Sequence, residues 1–232
     1  MVLVHSYGGE GDRSMLTIYG IYRSRAFRNY WMATELGIEF KAVPVIQARL
    51  LDDQHAPDAK FSSKSPEFLR VNPNGQIPAI DDDGLVLWES LAINLYLARK
   101  HRTPVSPQNN QEDGLVEMWS FWAVNEIEQH AIKIIYVHDA GEQDTPAGRE
   151  TRATASQLLK RPFETLNRHL SEQDYLVGNR FTVADLNVAE VVRYAIMESE
   201  LTDPNPNVVA WYERCHERPA FKDMWRARAE FG

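Results

Sequence analysis

Nothing after Gln111 reads as a β-strand, whereas the stretch before Lys100 alternates short apolar runs with helical patterns. That single change of pattern confines the chain to a mixed α/β unit followed by an all-helical one. In the first part, Leu16–Tyr19 has the length and apolarity of a buried strand. Ser24–Leu36 carries Phe27, Tyr30, Trp31 and Thr34 at the spacing of one helical face, and Gly37 suits the position just past its end. Phe40–Val45 predicts a second strand, and Gln47–Ser65 is polar with no clear element. Ser65 followed by Pro66 predicts a short helix capped by Ser65. Ile77–Ile80 and Leu85–Leu87 read as a hairpin around Asp81-Asp-Asp-Gly84. Glu89–Lys100 then predicts a helix with Ala92, Ile93, Tyr96 and Leu97 turned inward. The order is β-α-β-α-β-β-α, a small mixed sheet with helices on it.

In the second part, Leu115, Met118, Trp119 and Trp122 form an apolar stripe that meets Glu126, Gln129 and Lys133 further on. Val124, Ile127, Ala131 and Ile134 carry a second stripe. A helix whose face changes character either borders a cleft or is half core and half solvated. Thr182-Val-Ala-Asp185 is a capping-box variant, and the helix it opens, through Ile196, is apolar nearly all round and therefore central. Pro204-Asn-Pro206 and Arg218-Pro219 punctuate two further short helices. Residues 102–110, with two prolines, are the expected linker between a unit at 15–101 and a unit at 111–232. Residues 1–14 are expected to be a flexible extension.

Composition removes several functional classes. A net charge of −8 argues against a protein that coats nucleic acid or an anionic membrane, since both need concentrated positive charge. No apolar run approaches the length needed to span a bilayer. Cys215 is the one cysteine, so there is no intrachain disulfide, Cys-rich zinc site or Cys-x-x-Cys centre. Its isolation fits a reducing compartment, and the chain is expected to be cytoplasmic. The histidines show no metal-ligand spacing, and no metal site is expected.

Taken in order, Ser24-Arg25-x-x-Arg28, Val71-Asn-Pro-Asn-Gly-Gln-Ile-Pro78, Trp88-Glu-Ser90 and Asn179-Arg-Phe-Thr-Val-Ala-Asp185 resemble the soluble glutathione S-transferase family. The resemblance runs over roughly residues 15 to 230 and looks closest to bacterial members with a serine, not a tyrosine, at the active site. It implies a thioredoxin-like N-terminal domain followed by a helical bundle, usually as a homodimer. It also implies glutathione as co-substrate and a small apolar electrophile as second substrate, with no nucleic acid or membrane partner. The segment between Val45 and Ser65 is longer and more polar than the family pattern.

Such an enzyme must ionise a thiol whose own pKa is about 8.5, because only the thiolate is a good nucleophile. Lowering that pKa by about two units takes roughly 2.7 kcal/mol of preference for the anion. One hydroxyl donor at the positive end of a helix is about sufficient. Ser24 has that placement, though a serine there also reads as a plain helix cap; Tyr22 is a rival hydroxyl. By resemblance, Ile77 before a cis Pro78 pairs its backbone with the cysteinyl unit, and Gln76 contacts glutathione. Glu89 and Ser90, at a helix N-terminus, hold the γ-glutamyl carboxylate or simply cap that helix. Lys64, or Lys60, is the candidate for the glycine carboxylate. Trp119, Trp122, Tyr136 and His138 either wall the second-substrate pocket or belong to the core. The same residues would also serve a non-catalytic glutathione-binding scaffold, or a glutathione-dependent dehalogenase, isomerase or disulfide reductase.

Overall fold

The computed structural model describes residues 15–53 and 61–231; the expected extension at 1–14 and Lys60 lie outside the described residues. Four strands, β1 (Leu16–Tyr19), β2 (Phe40–Val43), β3 (Ala79–Asp82) and β4 (Leu85–Trp88), form one sheet in the order β2-β1-β3-β4. β1 and β2 run parallel, and the other pairs are antiparallel. A parallel pair needs a crossover, which α1 (Ala26–Glu35) supplies. The β3–β4 hairpin turns at Asp83 and Gly84, both at positive φ, the conformation such two-residue turns require. β2 stops two residues earlier than expected, at Val43.

α2 (Pro66–Val71) lies on one face of the sheet, with Phe68 against Val45, Ile77 and Ala79. Ser65 precedes it, but its hydroxyl accepts from the Ser62 amide and does not cap the helix. α1 and α3 (Ser90–His101) cover the other face. Ile93 and Leu97 of α3 are buried as expected, but Ala92 is exposed and faces the cleft described below.

The second half holds α4 (Asn110–Trp122), α5 (Gln129–Asp139), α6 (Pro146–His169), α7 (Val183–Val192), α8 (Ser199–Thr202), α9 (Pro206–His216) and α10 (Pro219–Phe231). α7 is buried along its whole length, and Thr182 and Asp185 form the expected capping box. Residues 102–109 join α3 to α4 and are held in place: Val105 is buried and its carbonyl accepts from the Val183 amide.

The apolar stripe on α4 needs correction. Val116, Trp119 and Ser120 face inward, whereas Leu115, Met118 and Val124 are exposed. Residues Ala123–Glu128 form a π-helical segment between α4 and α5. A π turn offsets the helical phase, so the inward face passes to Ile127, Ala131 and Ile134. That offset is the physical cause of the two competing stripes.

One hydrophobic cluster runs from Leu16, Phe27 and Trp31 through Ile93 and Leu97 to the α7 residues and Trp211, so both halves share a core. A row of buried amides crosses it. Asn29 donates to Asn94 (2.7 Å), Asn94 to Asn187 (2.9 Å), and Asn187 to the Ser120 hydroxyl (3.0 Å). Each buried amide nitrogen of the row thereby finds the acceptor that burial demands, while Asn29 Oδ1 has no partner among the described residues.

Candidate functional site

Two adjoining cavities share Gln76 and Ile77, one lined by the first half alone and the other by both halves. The first, about 570 Å³, has mostly polar residues around it: the Gln47–Asp53 segment closes one side, and Ser63, Lys64 and Gly75 the other. Gly75 has φ +60, and a Cβ there would lie 2.8 Å from the Ser63 carbonyl oxygen, so only glycine fits this wall. The second, about 540 Å³, lies between the two halves. Pro78, Glu89, Ser90 and Leu91 line its first-half side, and Phe121, Val124, Glu128 and Ile132 its helical side.

The residues expected to bind the tripeptide therefore come together. The Ile77–Pro78 peptide is cis. Ser90 is the first residue of α3 and 5% exposed, so the unpaired amides of that helix start at the cleft wall. Glu89 before it has φ +75, a strained conformation for a side-chain-bearing residue and one found disproportionately at functional sites. Lys64 sits in the polar cavity together with Arg49, which sequence reasoning missed. Arg49 lies in a charged segment without periodicity, and only its fold-back toward Tyr136, whose ring its guanidinium overlies at 5.7 Å, marks it.

Ser24 lies next to Arg25, which lines the cleft, two residues before α1. Its hydroxyl donates to the Ile21 carbonyl (2.7 Å) and accepts from the Ala26 amide (3.1 Å). It thus serves the first helical N–H while remaining half-buried, although the cap position itself is held by Arg25 and not, as the capping alternative has it, by Ser24. The tight turn beneath it needs Gly20, whose added Cβ would lie 2.5 Å from the Ala26 Cβ. Tyr22 stacks on Tyr30 (4.4 Å between centroids), and burial pushes its phenol up from the ordinary value. Arg228 of α10 donates to the Tyr22 carbonyl (2.7 Å), tying this loop to the end of the chain.

The four residues expected around a second substrate do not come together. Trp119 is buried between Trp122 and His169. His138 lies 3.4 Å from Glu198, and Tyr136 sits under Arg49. The cleft instead takes its apolar surface from Phe121, Val124, Ile132 and Leu95. Aromatic spacing alone could not separate the core face from the cleft face across the π segment.

A buried ion-pair cluster underlies the cleft. Glu128 Oε1 accepts from Arg25 Nε (2.7 Å) and Arg28 Nη2 (2.8 Å). Burial alone would raise the Glu128 carboxyl, but the two guanidiniums outweigh it and hold the group at about 2. A depressed folded-state pKa gives stability that is complete above the unfolded carboxylate value and lost as pH falls through the folded one. At neutral pH Glu128→Gln should cost about 3 kcal/mol, because it leaves buried charge unpaired. Urea unfolding from about pH 5 down to about pH 2 should show that gap to wild type closing. A gap independent of pH would mean that the pair does not stabilise through charge.

The comparisons agree with this geometry. Family models described as glutathione S-transferase N-terminal and C-terminal domains match residues 14–99 and 124–219. Glutathione S-transferase F13 of Arabidopsis thaliana is 32% identical over 202 residues, covering 81% of this chain and 84% of that protein. Probable glutathione S-transferase GSTF1 of Oryza sativa subsp. japonica is 32% identical over 177 residues, covering 73% of this chain and 81% of that protein. Among solved structures, glutathione S-transferase-I bound with lactoylglutathione superposes with a TM-score of 0.76 at 27% identity, over 91% of this chain and 98% of that one. A theta-class enzyme from Xanthomonas axonopodis pv. citri with glutathione bound gives 0.72 at 26%, over 90% and 96%. The matched halves, in this order and around this cleft, make the chain a member of the glutathione S-transferase family.

Proposed function

We propose that this enzyme binds glutathione across the two adjoining cavities and activates its thiol for attack on a small apolar electrophile. The observation that carries the reading is the pair of anion-binding ends. Ser90 and the start of α3 stand at one, Arg49 and Lys64 at the other, with Gln76 and Ile77 shared between them. A tripeptide with a carboxylate at each end suits two such positive ends. The γ-glutamyl carboxylate meets Ser90 with Glu89 beside it, the cysteinyl backbone pairs with Ile77, and the glycine carboxylate meets Arg49 and Lys64. The sulfur then lies toward Ser24, whose hydroxyl turns from the Ile21 carbonyl to donate to it. Titration calorimetry with glutathione and a conjugation assay with chlorodinitrobenzene test this: binding and turnover are expected, and absence of binding rejects it. Arg49→Ala should weaken glutathione binding about five- to tenfold, the usual size of one charge-assisted contact at a partly exposed site.

The enzyme works as a homodimer in this reading. Support comes from apolar side chains left exposed on β4 and α4: Val86 and Trp88 on the first, Leu115, Met118 and Phe121 on the second, with Phe121 66% exposed. Exposed apolar groups in such number ordinarily mark an interface. Phe121→Asp should convert the dimer to monomer at micromolar concentration, read by analytical ultracentrifugation; a monomeric wild type would reject the assembly. We place the enzyme in the cytosol, in line with its lone, buried Cys215.

A further inference from the structure

Arg28 belongs to a motif noted in the sequence but has no part in the chemistry described so far. It is 1% exposed, and its guanidinium reaches three partners in three other stretches of the chain. Nη1 donates to the Ser90 hydroxyl oxygen (3.1 Å), and Nη2 to Glu128 (2.8 Å) and to the Tyr194 hydroxyl (3.3 Å). Its neighbour Asn29 donates to the Ser90 backbone carbonyl (2.8 Å), so two consecutive residues of α1 grip the first residue of α3. We propose that Arg28 is a positioning residue for the γ-glutamyl end of glutathione, acting through Ser90 and held in place by Glu128.

The reason lies in the hydroxyl's inventory: one proton to donate and two lone pairs to accept. A serine in a helix can turn its proton back onto a nearby carbonyl, where no ligand can use it. A guanidinium N–H directed at the oxygen fills the acceptor side and polarises the group, leaving its O–H for the cleft. Arg28 cannot wander from this pose, since Glu128 and Tyr194 fix the far side of its fork. Glu128 in turn is delivered by the π-helical segment, so the helical half sets the geometry of a contact made by the first half. Arg25 shares the same Glu128 oxygen, which joins the loop of Ser24 to the same anchor. Among the described residues the Nε of Arg28 has no partner, and its contact with Ser90 is made by Nη1.

The inference rests on the proposed function, and the test separates the two. Glutathione is compared with γ-aminobutyryl-cysteinyl-glycine, which lacks only the α-carboxylate of the glutamyl unit. Dissociation constants of both are measured by calorimetry on wild type, Arg28→Lys and the charge-neutral pair Arg28→Met with Glu128→Leu. Wild type should prefer glutathione by about tenfold or more, the size of a hydrogen bond to a charged group. In both variants the preference should shrink by about fivefold or more, and in Arg28→Lys KM for glutathione should rise with kcat at saturation within about twofold. A merely structural Arg28 would weaken both ligands alike, and an unchanged preference in a folded variant overturns the inference. Should the double variant fail to fold, the lysine variant alone decides, because an ammonium cannot span Ser90, Glu128 and Tyr194 at once. Wild type that binds neither ligand rejects the proposed function itself, and this inference with it.

Discussion

Ser24→Ala is expected to lower kcat/KM for conjugation at neutral pH by about three- to twentyfold, while the glutathione dissociation constant stays within about twofold. The size follows from the thiol. If the hydroxyl and the adjoining helix start depress its pKa by about two units, losing the hydroxyl returns most of that shift, and the thiolate fraction at pH 7 falls accordingly. Part of the loss is recovered, because a more basic thiolate is intrinsically more nucleophilic. The measurement is a pH titration of ultraviolet thiolate absorbance in the binary complex, alongside steady-state kinetics. Tyr22→Phe is the control. Its ring is stacked on Tyr30, and burial holds its phenol above the ordinary range. It should therefore leave the thiol pKa nearly unmoved. An alanine variant that keeps most of its turnover would pass the role to another donor.

The second large effect concerns Asp185. Its carboxylate, fully buried at the start of α7, accepts from the amides of Leu176 (2.9 Å) and Thr182 (2.8 Å), the Thr182 hydroxyl (3.1 Å) and the Trp211 indole (2.9 Å). Asp185→Ala strands the two amides and the indole in the core. At about 1–3 kcal/mol for each unsatisfied donor, the cost is about 4–6 kcal/mol. That is roughly half the stability of an ordinary domain, and it should lower Tm by about 10–20 °C. Asp185→Asn keeps one acceptor oxygen and should cost far less. Burial lifts the Asp185 carboxyl to about 6, with its four donors acting in opposition. A raised folded-state pKa means that ionisation costs stability as pH rises from about 4 to about 6. The asparagine variant should lose that slope, which chemical denaturation across the window would show. An alanine variant melting within about 3 °C of wild type would contradict this account.

Much of this architecture was legible because the relevant signals are local. Gly37, Gly84 and the Thr182–Asp185 box each mark a backbone requirement that few residues can meet, and each marks the end or start of an element as expected. Ile77-Pro78 and Glu89-Ser90 were legible for the same reason: each is tied to one turn or one helix start. The misreadings are of another kind. Leu115 and Met118 looked like core because periodicity reports an apolar face without saying what covers it. Trp119 and Tyr136 could not be assigned to core or cleft without the π segment, whose sequence carries no mark of its own. Arg49 was missed because a single charge in an aperiodic stretch gains meaning only from what folds against it. Arg28 is the intermediate case, noticed as part of a motif and intelligible only once Glu128 and Ser90 were seen on either side of it.

The chain of side-chain amides from Asn29 to Ser120 bears on how a ligand gets in. Every link donates in the same sense, from Asn29 through Asn94 and Asn187 to Ser120. The two halves are therefore keyed together like a spline in its shaft, and any hinge-like opening between them must break the Asn94–Asn187 bond.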